Sequence, residues 1–350
     1  MSQGGVEGMT VRVMESRDRP AWDRFVMGAG QATFFHRSGW QRVLAEAFGH
    51  QTWYLMAEMD GVVVGVLPLG RIRSWLFGDA LISTPFCVYG GIVAEDGAVA
   101  LMLEREAVAL AHRLGVDHLE LRASTAMHPQ WLVKDLYCTF KKEISSDPEV
   151  NLSAIPRKQR AEVRRGINKG LVGMVEQDVA AACYDIYSES VHHLGTPVFP
   201  RHYFALLKDE FGDDCDALVI RHESTPVAAV LNFYFRDQVL PYYGGGVAAG
   251  RAFGATAYMY WDLMNRAAGD RGVRVFDFGR SKVGSGSYDF KRYFGFEPQA
   301  LHYACHLVRG QAMPNVSPNN PKYRLFIDFW KKLPLGVTRM LGPMIAKNLG

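Results

Sequence analysis

Apolar positions along the chain fall into two repeating spacings, and the switches between them mark out its elements. VRVM, from Val11 to Met14, alternates as a strand. Between Ala21 and His50, the residues Trp22, Phe25, Trp40, Val43, Leu44, Ala47 and Phe48 sit at helical intervals and predict two short helices. Trp53 to Ala57 alternates into a turn at Asp60-Gly61, and the apolar run Val62 to Leu69 follows, which predicts a hairpin feeding a buried sheet. Pro68 cannot donate to a ladder, so it is expected at an edge or a bulge. A glycine-marked segment, Tyr89 to Ala94, leads to a helix over about Val99 to Leu114 that Gly115 ends, and Val116 to Arg122 alternates as the next strand. Strand, helix, strand is the order of a mixed α/β sheet with helices on its faces.

The second half repeats this organisation. Asp216 to Ile220 reads as a strand, His222 to Thr225 as a turn, and Pro226 to Phe235 as an apolar strand. A helix is predicted from about Thr256 to Ala268, ending near Gly272, with Val273 to Phe278 as the succeeding strand. Tyr243-Gly244-Gly245-Gly246-Val247-Ala248 follows Tyr89-Gly90-Gly91-Ile92-Val93-Ala94 by 154 positions, and Gly272-Val273 follows Gly115-Val116 by 157. Two landmarks at nearly constant separation predict a duplicated α/β domain. The expected division is a first domain over residues 10–150, a second over 151–310 and a helical extension over 311–350.

Composition narrows the class. The 350 residues are 48% hydrophobic and 21% charged, which suits a folded chain of about two domains. Thirty-nine Lys and Arg against 36 Asp and Glu leave a net charge of +3, which excludes a polyelectrolyte surface for coating nucleic acid. The charge is concentrated instead. In IPRKQRAEVRRGINKG, Arg157, Lys158, Arg160, Arg164, Arg165 and Lys169 against Glu162 give a local +5 on a predicted helix, either a solvated interdomain face or a contact for a phosphate-rich ligand. Five cysteines without metal-finger or C-x-x-C spacing predict reduced thiols, with Cys183 and Cys215 as packing residues. No basic segment followed by an apolar one opens the chain, Ser2 excludes myristoylation, and no apolar run approaches 18 residues, so neither export nor membrane spanning is expected.

The candidate chemistry clusters after Phe278. Arg280 and Lys282 flank Ser281, and Gly284, Ser285 and Gly286 turn the chain before Tyr288-Asp289-Phe290-Lys291-Arg292. Tyr288 can hydrogen-bond an acceptor or carbonyl, and Asp289 is an acid/base candidate. Asp277, at a strand end, reads first as an anchor for the adjoining loop. Gly244, Gly245 and Gly246, with Arg251 and Gly254 ahead of the predicted helix at Thr256, either offer backbone N–H groups to a carrier phosphate or permit close strand packing. The first-half glycines do not make a GxGxxG fingerprint. His192 and His193 read as acceptor-pocket or loop residues, because their spacing is not H-E-x-x-H and no metal site is expected.

The IPRKQRAEVRRGINKG helix, the segment FDFGRSKVGSGSYDFKRYFGFEP (Phe276 to Pro298) and the tandem organisation together resemble FemAB-related members of the GNAT acyltransferase superfamily, in particular the bacterial branch associated with PEP-CTERM and exosortase systems. The resemblance covers most of residues 10–310. It implies tandem GNAT-like domains of α/β class with mixed sheets. It also implies transfer of an acyl or aminoacyl group from acyl-CoA or aminoacyl-tRNA, as a donor substrate and not a tightly bound cofactor. The acceptor would be an amine on a small-molecule, cell-envelope or polysaccharide precursor, with the protein in the cytoplasm. In FKRYFG (Phe290 to Gly295) it places on Lys291 the lysine that contacts the carrier or stabilises transfer. The long coiled-coil insertion of several tRNA-dependent relatives is missing, and a carrier-binding or assembly protein without turnover is the alternative.

The tail carries a further +5, from six basic residues and Asp328. Leu325, Phe326, Ile327, Phe329 and Trp330 predict one helix, and Leu335 to Leu349 continues the pattern. Two roles fit: packing across the domains, or peripheral attachment to an anionic membrane with Phe329 and Trp330 beside Lys331 and Lys332.

Overall fold

The computed structural model describes residues 8–74, 78–123, 130–309 and 321–349. They fall into two compact units, one of Met1–Asp135, Leu301–Val316 and Asn348–Gly350, the other of Leu136–Ala300 and Ser317–Lys347. The first unit runs β1 (Met9–Val13), α1 (Arg19–Gly28), α2 (Gly39–Phe48), β2 (Thr52–Met59), β3 (Val62–Ser74), β4 (Gly78–Ser83), β5 (Val93–Ala94), α3 (Gly97–Leu114), β6 (His118–Ala123) and β7 (Leu132–Lys134). The second runs β8 (Tyr137–Glu143), α4 (Pro148–Ser153), α5 (Arg157–Asn168), β9 (Leu171–Glu176), α6 (Val179–Leu194), α7 (Arg201–Phe211), β10 (Cys215–His222), β11 (Thr225–Phe235) and β12 (Gln238–Gly246). It continues through α8 (Ala255–Arg271), β13 (Val275–Asp277), β14 (Ser281–Lys282), α9 (Gly286–Tyr293) and β15 (Pro298–Ala300). β16 (His302–Leu307) returns to the first unit, and α10 (Pro321–Trp330) and α11 (Leu335–Ala346) belong to the second.

The duplication is visible in strand order. The first sheet is β1-β2-β3-β4-β6-β16 and the second β9-β10-β11-β12-β13-β8, and both read antiparallel three times, then parallel, then antiparallel. The parallel pair of each is joined by a right-sized crossover helix, α3 or α8, as parallel pairing requires. Both helices end on a left-handed glycine, Gly115 at φ 62° and Gly272 at φ 65°. The other landmark is not equivalent: Tyr243–Gly246 lies within β12, whereas Tyr89–Gly91 follows β4 through a buried, irregular stretch. The chain enters the second unit after Asp135, ahead of the expected position near 150, because β8 pairs with β13, β14 and β15.

Pro68 is interior and not at a sheet edge. It lies between the part of β3 that pairs with β5 (Gly65, Val66) and the part that pairs with β4 (from Leu69), so its missing N–H falls where β3 changes partners.

In the second unit Phe140, Val163, Leu218, Val230, Met259, Leu263, Phe276 and Phe278 form the core between sheet and helices. α5 buries only Val163 and Gly166 and turns its basic residues outward. A Cβ on Gly166 would lie 2.7 Å from Tyr258 Cβ on α8, so the missing side chain is what lets the two helices meet. The tail packs on this unit as well. Trp330 is buried, Gly342 abuts the Val198 backbone, and Arg339 donates to Ser188 Oγ at 2.9 Å and pairs with Asp185 at 3.1 Å. The turn-rich segment 311–320 lies outside the described residues.

Gly166→Val is expected to force α5 off α8 and to cost about 2 kcal/mol, the usual scale of overpacking. Urea unfolding measures it as a lower midpoint at unchanged slope.

Candidate active site

β13 and β14 are one strand interrupted by a bulge. Asp277 pairs with Lys141 and Ser281 with Cys138, so four steps on this strand oppose three on β8, one residue in excess. Such bulges redirect side chains at the rims of sheets. Gly279 takes φ 67°, a left-handed conformation that glycine adopts without the Cβ clash other residues meet.

Two buried side chains close the bulge from opposite chemical sides. Asp277 Oδ1 accepts from Gly279 N at 2.9 Å and from Thr139 Oγ1 at 3.1 Å, while Oδ2 pairs with Lys141 at 3.3 Å. Lys291 Nζ donates to the carbonyls of Gly279 at 2.9 Å and Arg280 at 3.1 Å. Its ammonium lies over the faces of Phe140 and Phe278, at 5.5 and 5.7 Å from the ring centroids. Lys291 is 9% exposed, and burial pushes its amine down to about 8, against the pull of Asp277 and Cys138 in the other direction. A neutral amine has two N–H groups and both are committed to carbonyls; the ammonium has a third. Ser281 Oγ is buried with no hydrogen-bond partner among the described residues, and Cys138 Sγ reaches the Ser281 carbonyl at 3.6 Å.

α9 presents the predicted trio unequally. Ser285 caps its first turn by accepting from Tyr288 N at 3.3 Å. Tyr288 shares a face with Lys291, three residues on, and packs edge-on against Phe140. Asp289 points a third of a turn away, half-buried, with no side-chain bond to the described residues. Arg280 lies over the Tyr137 ring at 4.9 Å, and Lys282 pairs with Tyr137 in the ladder while its carbonyl accepts from Ser285 Oγ. Arg280, Lys282, Tyr288 and Lys291 are therefore one cluster.

The basic helix begins beside it. A Cβ on Gly295, just past α9, would lie 2.9 Å from Pro156 Cδ, immediately before Arg157. An open cavity of about 480 Å³ is lined by Arg157, Arg160, Arg164, Arg165, Asn168 and Lys169. Arg157, Lys158 and Arg164 are exposed and have no ion-pair partner among the described residues. Arg160 is different: it braces the end of α4, donating to Ser153 O and Ile155 O at 3.0 Å each. The middle of α5 abuts the start of α8, where a Cβ on Gly254 would lie 2.4 Å from Glu162 O. Arg251 is exposed on the turn just before.

The three glycines sit in the β12 ladder opposite Val230, Ala229 and Ala228. Gly245 has α6 against it, with Ser190 Cβ 2.4 Å from where its own Cβ would be, so their contacts are those of close packing. His192 and His193 stand apart at the end of α6. His192 Nδ1 contacts Thr338 Oγ1 of α11 at 3.3 Å, and burial followed by the neighbouring His193 lowers its pKa; His193 Nε2 is 3.9 Å from Glu189. Cys138, Thr139 and Tyr137 complete the bulge without any sequence signal, because β8 lies some 140 residues from its partner strand.

Residues 157–292, from the first residue of α5 to the last turn of α9, match the family described as "Acetyltransferase (GNAT) domain". Over most of its length the chain has the fold of tandem GNAT proteins. FemX matches at 12% identity and a TM-score of 0.67, over 91% of this chain and 100% of FemX. A tandem GNAT protein from the clavulanic acid biosynthesis pathway matches at 11% and 0.55, over 87% and 100%. The C-terminal domain of a protein described as a lysylphosphatidylglycerol synthetase from Agrobacterium fabrum matches at 14% and 0.55, over 84% and 92%. No curated protein sequence matches the chain.

The Lys291 geometry predicts a pH dependence. Below about pH 8 the amine is charged whether the chain is folded or not, and burial of that charge weighs against the fold in full. Between about 8 and its ordinary value of 10.5 the unfolded chain holds the proton and the folded one does not, so this group's contribution raises stability with pH, by at most about 1.4 kcal/mol per unit. Lys291→Met is expected to lack that rise, which paired urea titrations from about pH 7.5 to 10 would measure.

Proposed function

We propose that the chain transfers an acyl or aminoacyl group from a phosphate-bearing carrier to an amine on a cell-envelope or extracellular-polysaccharide precursor. The observation that carries this reading is the GNAT match over 157–292, which takes in the basic helix, the start of α8 and the Lys291 bulge together. The narrower resemblance to the exosortase-associated branch supplies the acceptor class, and acyl-CoA or aminoacyl-tRNA the donor. With those donors the reaction belongs in the cytoplasm.

In this reading the exposed Arg157, Lys158 and Arg164, on the side of α5 turned away from α8, hold the carrier's phosphates. The acceptor nitrogen forms a bond to the acyl carbon, the C–S or C–O bond to the carrier breaks, and the amine proton leaves with the carrier's thiol or hydroxyl. Lys291 fixes the bulge and, as an ammonium, has one N–H to offer the developing oxyanion. Arg280, Lys282 and Tyr288 border that point, sharing the bulge with Lys291. A second reading, a carrier-binding protein without turnover, is favoured by one observation: two of the Lys291 donors are already spent on its own backbone.

Incubating the purified chain with acyl-CoA and aminoacyl-tRNA donors and a panel of amines, followed by intact mass of the acceptors, separates the two. Transfer is expected, with Lys291→Met lowering kcat by at least about a hundredfold. Tight carrier binding with no transfer would select the second reading. Arg157→Glu/Arg164→Glu is expected to raise the donor KM about tenfold with little change in kcat, an effect that added salt reproduces in the unaltered chain.

A further inference from the structure

The tail helices have two faces. The inward one is occupied: Trp330 is 1% exposed, Thr338, Gly342 and Ala346 are buried at four-residue intervals along α11, and a Cβ on Gly195 would lie 2.6 Å from Ile327 of α10. The outward one carries large apolar side chains that are mostly exposed among the described residues. Leu325 and Phe329 on α10 are 76% and 59% exposed, and Met340 and Met344 on α11 are 68% and 65% exposed. Each pair is spaced by four, which stacks it on one side of its helix.

The charges around these side chains identify the occupant. Lys331, Lys332 and Lys347 are exposed at the C-terminal ends of the two helices, the Lys331 stem lying with Ile327 against Gly195, and Asp328 is the one exposed carboxylate on the two helices; Arg339 is turned toward Asp185. We infer that the outward face of α10 and α11 docks on an anionic lipid surface, with Leu325, Phe329, Met340 and Met344 entering the acyl boundary and Lys331, Lys332 and Lys347 at the headgroups. A second copy of the chain fits poorly, since a two-fold interface on this patch would set the same lysines against one another. An amphipathic surface of apolar side chains rimmed by lysines is what an anionic interface attracts. Of the two aromatic residues that the sequence pattern marks for the interface, Phe329 is part of it and Trp330 is not, because Trp330 is buried in internal packing. The attachment is peripheral: among the described residues no helix is long and apolar enough to cross a membrane.

The test uses the full chain and does not depend on its catalytic activity. It is floated with vesicles of phosphatidylcholine alone and of phosphatidylcholine with about 30% phosphatidylglycerol. Flotation is expected with the anionic vesicles only, and about 0.5 M salt is expected to weaken it several-fold. Phe329→Ser/Met340→Ser/Met344→Ser is expected to lower vesicle affinity at least about tenfold with an unchanged thermal melt, because all three side chains are exposed. Lys331→Glu/Lys332→Glu is expected to act in the same direction and to abolish the salt effect. No flotation of the unaltered chain, equal flotation of the triple serine variant, or a concentration-dependent dimer that the serine substitutions disperse would each overturn the inference.

Discussion

The second unit turns on the closure of one β-bulge by a carboxylate and an amine. Asp277 takes the N–H of Gly279 and Lys291 takes its carbonyl, so one left-handed glycine is held from both of its peptide groups. Neither anchor is cheap to bury, and each is made tolerable by hydrogen bonds and by the other's charge. What the arrangement fixes is direction: the extra residue sends Arg280 over Tyr137 and turns Ser281 into the core. The helix that supplies Lys291 is thereby tied to the sheet, and through Gly295 and Pro156 the basic helix is tied to it in turn.

This connection sets where the concentrated positive charge of a chain with a net charge of +3 stands. α5 has almost no apolar face of its own, burying Val163 and Gly166 alone, and such a helix is poorly stable by itself. Its position depends on contacts at Gly166, Gly254 and Gly295, where the absence of a side chain allows another backbone or ring to approach. Arg157, Lys158 and Arg164, exposed and without ion-pair partners among the described residues, then stand on a helix whose place is set by glycine contacts.

Much of the architecture was legible from periodicity and punctuation. The crossover helices declared themselves by their apolar spacing and their terminal glycines, and Gly115 and Gly272 are equivalent in the structure as well. The paired Tyr-Gly-Gly segments were a coincidence of composition, since one is strand and the other an irregular stretch. The α9 half of the candidate site could be read from one continuous motif. Its other half, Tyr137 to Thr139, could not, because strand pairing over 140 residues leaves no local pattern, and the same long-range pairing moved the boundary between units. Trp330 shows the reverse limit: amphipathic spacing identifies a face but not which side a neighbouring helix will take.

The sixth strand of each sheet has a consequence for the order of events during synthesis. In the second unit that strand, β8, is made first, but in the first unit it is β16, made last. Until residues 302–307 leave the ribosome, β6 has an open edge and β7 has no strand partner among the described residues. At usual translation speeds the roughly 170 intervening residues take on the order of ten seconds or more. For that interval the first unit is an unfinished sheet with an exposed edge, the state in which nascent chains most need protection from pairing with one another.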